Sequence, residues 1–304
     1  MGTSASGYMI VTELSAFIVD RRSRRLSPLT IRFYREELGL LSRWLADRGV
    51  DTVEQITPDL LRRYLLYLED DRRRSKGGIQ AAWRAARAFL RWFENEYEPD
   101  GWKSPLSRVQ PPRYSREPIT GIGLDNVAKL LGVCDDSILG RRDAAIFLTL
   151  VDSGLRISEL LALVVGDLNA RTGQLMVRHG KGDKARVAFV SPKTLKAIAR
   201  YLHMRGAVGA DDPLFATRTG SRLTLAGAEH VLRLRGKQAG IDPGGWHNFR
   251  RTYAIEMLRD GTDVLTLSRL LGHSDTRLVS TYAKETNDDL RQSAEAHSPV
   301  RRMK

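Results

Sequence analysis

Five of the chain's 11 prolines fall between residues 99 and 118, at Pro99, Pro105, Pro111, Pro112 and Pro118, with Gly101 among them. Proline fixes its own φ and lacks the N–H that a helix interior or inner strand needs. The stretch is therefore expected to be an extended linker, stiffened by proline. It divides the 304 residues into two pieces, each of domain size. The expected organisation is a helical domain over 1–98, the linker over 99–118, and a second domain over 119–304 that ends in a helical tail.

The first piece reads as helices. Ile10, Leu14, Phe17 and Ile18 share one helical face. Ser27-Pro28 and Thr57-Pro58 each pair a capping side chain with a first-turn proline, so they predict two helix starts. A fourth helix carries Ile79, Trp83, Ala86, Leu90 and Phe93 at helical spacing. Four amphipathic helices in so short a span make a small bundle. The fourth has a second stripe, Arg84, Arg87 and Arg91, away from the apolar face. One such stripe is ordinarily a solvated face. The upstream Arg72-Arg73-Arg74 and Lys76 shift the reading towards a surface that meets a polyanion.

Net charge points the same way. The chain carries +13 at neutral pH, and both pieces share it: residues 1–116 hold 21 basic against 15 acidic residues, leaving +7 for the remainder. A balance of this size suits a phosphate-rich partner, because each neutralised phosphate releases counterions. Cys134 is the one cysteine, so no disulfide can form within the chain and a reducing, cytoplasmic location is expected. Its apolar neighbours Leu130, Leu131 and Val133 give it a packing role rather than a nucleophilic one. No run of about 18 apolar residues marks a membrane span. Met1-Gly2 with Ser6 fits the short myristoylation pattern, but nothing else suggests an anchor.

The second piece is mixed. Residues 144–150 and 155–163 read as buried helices. Residues 174–177 and 185–190 read as two strands around a Gly-Lys-Gly-Asp-Lys turn, and helices resume from Lys193. The fold class expected is mainly α with a small antiparallel β-sheet. Four segments stand out: Ser153-Gly154-Leu155-Arg156-Ile157-Ser158-Glu159-Leu160; His179-Gly180-Lys181-Gly182-Asp183-Lys184; His247-Asn248-Phe249-Arg250-Arg251-Thr252; and Leu271-Gly272-His273-Ser274, followed by Tyr282. Singly, each has a plain explanation. Arg156 could pair with Glu159 as a surface bridge. Turn lysines are usually just exposed, Gly272-His273 looks like a helix C-cap, and most tyrosines pack.

Together, and in this order, the segments resemble the tyrosine recombinase family, the phage-integrase and Xer-like enzymes. The resemblance covers nearly the whole chain. It makes the first domain a core-binding (DNA-binding) domain and the second the catalytic module. One departure is visible: Arg251 stands where the family often has a second histidine. The resemblance implies six catalytic residues, Arg156, Lys181, His247, Arg250, His273 and Tyr282. Tyr282 would attack a DNA phosphorus and form a 3′-phosphotyrosyl bond. Arg156 and Arg250 would hold the non-bridging oxygens, since the planar guanidinium fork stays charged and binds phosphate bidentately. Lys181, with Lys184 as its competitor, would protonate the leaving 5′ oxygen. His247 would be a base or phosphate hydrogen bonder, and His273 would align the phosphate and Tyr282. Glu159 would orient its neighbours.

The DNA contacts expected outside the catalytic set are Arg84, Arg87, Arg91, Arg113 and Arg251, with Arg108 and Arg116 also placed along the linker. No Walker A loop or acidic cluster with Mg²⁺ spacing is present, so no cofactor and no metal is expected. The expected partners are double-stranded DNA sites and further copies of the chain: a homotetramer on paired sites, a monomer or weak dimer alone, with accessory DNA-bending proteins as candidate additions. Integration or excision of a mobile element is the favoured role and Xer-like resolution of chromosome or plasmid dimers its rival. A type IB topoisomerase and a non-catalytic DNA-binding protein are the alternatives of other classes.

Overall fold

Both proline-marked helix starts form. Ser27 accepts a hydrogen bond from the Thr30 amide (3.2 Å) at the start of α2 (Pro28–Ala46), and Thr57 accepts one from Leu60 (3.2 Å) at the start of α3 (Pro58–Asp70). Each cap satisfies an amide that the helix itself cannot. A computed structural model of the chain describes residues 7–99, 101–112, 120–178 and 185–272. The chain forms two units, Met1–Arg116 and Glu117–Lys304.

The first unit is a helical bundle of α1 (Ile10–Ser23), α2, α3 and α4 (Lys76–Tyr97). α4 packs against all three others. Its stripe of Ile79, Trp83, Ala86, Leu90 and Phe93 is buried, and so are Ala82, Ala85, Phe89 and Trp92, so about half of its circumference faces the core. Phe17, Leu38, Leu45 and Leu68 complete that core.

The described part of the stretch expected as an extended linker is more structured than its prolines imply. Residues Pro105–Arg108 form a turn of 3-10 helix, and Leu106 and Val109 are buried in the bundle core. Trp102 sets its ring edge-on to Phe93 at 5.1 Å, Glu94 accepts from the Ser104 amide (3.0 Å), and Arg62 donates to the Arg108 carbonyl (2.9 Å). These apolar side chains outweigh the proline signal, because burying Leu106 and Val109 stabilises the packed form by about 1.5–3 kcal/mol each and Trp102 is partly covered as well.

The second unit is built on α6 (Ile138–Ser153), which packs against α5 (Leu124–Gly132), α8 (Pro192–Arg205) and α10 (His247–Arg259). Phe147 of α6 stacks on Phe249 of α10, ring centroids 5.7 Å apart, with Trp246 beside them. The predicted hairpin strands are present as β2 (Gln174–Val177) and β3 (Arg186–Phe189), with a two-residue strand β1 (Leu168–Asn169) added at β2's other edge. The register Leu175↔Ala188 and Val177↔Arg186 puts these four on one face, and Met176 and Phe189 on the exposed one. α7 (Ile157–Ala162), α9 (Leu225–Ala239) and α11 (Val264–Leu271) complete the unit.

Asp143 of α6 is buried between Arg142 (2.7 Å) and Arg235 of α9 (2.9 Å). The arginines also donate to the carbonyls of Ala216 and Val133, so the desolvated charges are compensated and α9 is tied to α6. Cys134 packs partly buried against this core, and burial pushes its thiol up to about 11. No helix among the described residues is long and apolar enough to cross a membrane.

Candidate active site

The turn after α6 is where the site begins. Gly154 caps α6 with φ +61°, and a Cβ there would strike the Tyr253 ring and come within 2.8 Å of Leu271. Only glycine lets this turn press onto α10 and α11. Its carbonyl accepts from Arg250 Nη1 (2.6 Å), and Arg250 Nη2 donates to the Leu271 carbonyl (2.6 Å). One guanidinium, 1% exposed, thus holds the turn before Arg156 against the last turn of α11.

Arg156 stands at the N-cap of α7. Glu159, three residues on, accepts from the Arg156 amide (2.8 Å) and from Arg156 Nη1 (2.7 Å). This is the pairing that the residues alone allowed as a surface bridge, but the Glu159 side chain is only 3% exposed and the Arg156 side chain 28%. A second cation completes it: Arg186, the first residue of β3, donates Nη2 to Glu159 Oε2 (2.7 Å) and Nη1 to the Leu270 carbonyl (2.8 Å). Burial alone would raise the Glu159 pKa; the Arg156 amide and the Arg186 and Arg156 charges outweigh it and hold the carboxyl below its ordinary value. The carboxylate orients Arg156 through one Nη. Its Nε and other Nη have no protein acceptor among the described residues and can meet an anion.

His247 is the first residue of α10 and is exposed on one side. The protein packed around the rest of its ring, then the charges of Arg251, Arg250 and Arg156, lower its pKa below the ordinary imidazole value. That coupling brings residues 156, 247, 250 and 251 into one electrostatic neighbourhood. His247, Arg250 and Arg251 are three and four positions apart on one helix. Arg251 is half-buried, and its Nη1 donates to Asn248 Oδ1 (3.2 Å).

Three of the six expected catalytic residues are therefore placed, Arg156, His247 and Arg250, and the fold brings them together. Lys181, His273 and Tyr282 lie outside the described residues, as do Lys184, Arg113 and Arg116. The chain leads to them from the site itself: β2 ends at Val177, β3 starts at Arg186, and α11 ends at Leu271 beside Arg250. Arg84, Arg87 and Arg91 are exposed along α4 in the first unit, with Arg87 resting over the Trp83 ring (5.2 Å). Arg74, from the basic run before α4, is engaged differently: its guanidinium pairs with both carboxylate oxygens of Glu37 (2.6 and 2.7 Å), pinning α2.

Sequence reasoning missed Arg186. A signal was present, because period-two alternation in β3 puts Arg186 on the same face as the buried Ala188. An arginine at an inward strand position calls for a buried partner, but nothing in the sequence names Glu159 as that partner.

Sequence profiles for the phage integrase family and for the phage integrase N-terminal SAM-like domain match residues 122–288 and 21–97. The chain is 31% identical over 305 residues to the tyrosine recombinase XerC of Azotobacter vinelandii, covering 96% of this chain and 98% of that one. Among solved structures it is similar to the XerA recombinase (26% identical, TM-score 0.51, 95% and 98% of the two chains covered). It also shares its fold with the Tn1549 transposon integrase solved with a circular-intermediate DNA (17% identical, TM-score 0.75, 95% and 99% covered). The ordered motifs, the arginine–carboxylate–histidine cluster they build and the match across both units place this chain in the phage integrase family, as a tyrosine recombinase.

Proposed function

We propose that this recombinase cuts and rejoins double-stranded DNA at specific sites through a 3′-phosphotyrosyl bond to Tyr282, in the integration or excision of a mobile element. The observation that carries the cleavage reading is the cluster at residues 156, 159, 247 and 250. It gathers two arginines and an imidazole at one place: Glu159 holds Arg156, Arg250 holds the turn before Arg156, and His247 stands within reach of both charges, leaving Arg156 N–H groups for an anion.

In the proposed reaction the Tyr282 oxygen attacks phosphorus in line with the 5′ oxygen. The P–O5′ bond breaks, the phenol proton passes to a base for which His247 is the candidate, and Lys181 supplies a proton to the leaving 5′ oxygen. A free phenol has a pKa near 10, so attack at neutral pH needs this help. Arg156 and Arg250 stabilise the charge that builds on the non-bridging oxygens, and His273 aligns the phosphate. The phosphotyrosyl bond conserves the energy of the broken linkage, and a 5′ hydroxyl from the partner strand reverses the step. Arg250 is 1% exposed and donates to the Gly154 and Leu271 carbonyls, so its contact with a phosphate requires that arrangement to open.

The helical unit is proposed to grip the DNA through Arg84, Arg87 and Arg91, the second unit to perform catalysis, and residues 99–118 to connect them. Arg113 and Arg251 add backbone contacts. A monomer or weak dimer is expected alone and a tetramer on paired sites; sedimentation with and without site DNA checks this, and a stable DNA-free tetramer opposes it.

The deciding assay uses nicked duplexes carrying a site selected by the full-length protein from a randomised pool. Wild type is expected to form a denaturation-resistant protein–DNA adduct; Tyr282→Phe is expected to bind and form none. Lys181→Ala is expected to cleave slowly and to recover with a 5′-thio leaving group, which needs no acid. An adduct that persists in Tyr282→Phe overturns the assignment. Exchange of strands between two sites separates this enzyme from a topoisomerase. The Xer-like role is the second reading, favoured by the near full-length match to proteins named XerC. Mapping the bound sites in the cell separates the roles: ends of a mobile element support the first, and a dimer-resolution locus the second.

A further inference from the structure

The end of α11 is held by two arginines from two different elements. The last carbonyls of a helix have no partner within it. Here Leu270 O receives Arg186 Nη1 from β3 (2.8 Å), and Leu271 O receives Arg250 Nη2 from α10 (2.6 Å). The chain then leaves α11 through Gly272 at φ +65°, so close over Arg186 that a Cβ there would stand 2.6 Å from Arg186 Cδ. The other end of the Arg186 fork bonds Glu159, whose two oxygens fix the Arg156 amide and guanidinium. The side chain of Arg186 is 12% exposed, so these bonds are made largely out of water.

We propose that Arg186 is a positioning residue for strand cleavage. Through Glu159 it sets where Arg156 presents its remaining N–H groups, and through Leu270 it holds the end of α11 to that same carboxylate. The role rests on the cleavage reading above. Its physical basis is the rigid plane of the guanidinium, which fixes the direction between its two acceptors; a lysine ammonium reaches one acceptor or the other without fixing the angle. Everything after residue 272, Tyr282 included, is attached to the helix end that Arg186 holds. An error of about 1 Å in such a register can lower a rate by about 10²-fold.

The test compares wild type, Arg186→Met, Arg186→Lys and Glu159→Gln on the selected nicked duplex. Amide exchange of the DNA-free proteins is read alongside. Arg186→Met is expected to form adduct about 10²-fold more slowly at saturating DNA, with affinity for the duplex within about twofold and faster exchange across 264–272. Arg186→Lys is expected to restore the melting temperature more fully than the cleavage rate. Glu159→Gln covers the case in which Arg186→Met does not fold: it keeps shape, loosens both arginines, and is expected to slow cleavage with affinity retained. A 5′-thio leaving group is expected to rescue none of the three, since the acid is not what they lack.

Full cleavage by Arg186→Met, or a rate in Arg186→Lys that recovers in step with stability, overturns the positioning role and leaves the cleavage reading standing. A wild type that binds the duplex and forms no adduct overturns the cleavage reading, and this role with it.

Discussion

His247 carries the clearest consequence at the scale of one residue. Protein packed around its ring, and the Arg251, Arg250 and Arg156 charges, hold its folded pKa below the ordinary 6.5. Between that depressed value and 6.5 the unfolded chain binds a proton that the native protein does not, so stability rises with pH across the window. The penalty is fully present below the folded pKa and absent above about 6.5. His247→Gln is expected to gain stability over wild type in mild acid and none at neutral pH. Thermal unfolding from pH 5 to 8 checks this, and equal shifts at both ends of the range count against it. The imidazole is neutral at pH 7, the state in which it can accept a proton. The wild-type cleavage rate is accordingly expected to fall only on the acid side of that window.

At the scale of an element, α4 has one face in the core and one face exposed. Its buried side holds the bundle together, while Arg84, Arg87 and Arg91 stand exposed. If these three meet DNA phosphates, their replacement by alanine removes about three counterion-releasing contacts. The slope of log K against log salt is then expected to fall by roughly 2–3. Binding titrations at several salt concentrations measure it, with thermal stability nearly unchanged because none of the three is buried. An unchanged slope removes α4 from the DNA surface. Arg74 shows how an adjacent basic residue with the same composition signal can serve the fold: it is committed to Glu37 and belongs with the structural ion pairs.

For the whole molecule, the two units have separate apolar cores, one around Phe89 and α4, the other around Phe147, Phe249 and α6. Phe89→Ala and Phe249→Ala each open a cavity in one core and are expected to destabilise that unit by about 3–5 kcal/mol. Amide exchange resolved along the chain should show the loss confined to the unit that carries the change; equal loss in both would mean that the cores unfold as one. The four helices of the first core were legible because Ser27-Pro28, Thr57-Pro58 and the spacing from Ile79 to Phe93 are local signals, decided within a turn or two. The packing of Trp102, Leu106 and Val109 was not, since a proline count says nothing about what bundle surface lies within reach.

The order of residue types along the chain was enough to determine the two proline-marked helix starts, the hairpin strands and the motif set that contains Arg156, His247 and Arg250. Each of these depends on short-range backbone chemistry or on a chemical pattern written in order. Tertiary structure alone decided that Glu159 is shared by Arg156 and Arg186, and that the carbonyls of Gly154, Leu270 and Leu271 are the acceptors for Arg250 and Arg186. Apart from Arg156 and Glu159, those partners lie 21 to 96 positions apart. A hydrogen bond needs direction and a distance near 3 Å, and only the packing of α6, β3, α10 and α11 against one another supplies both.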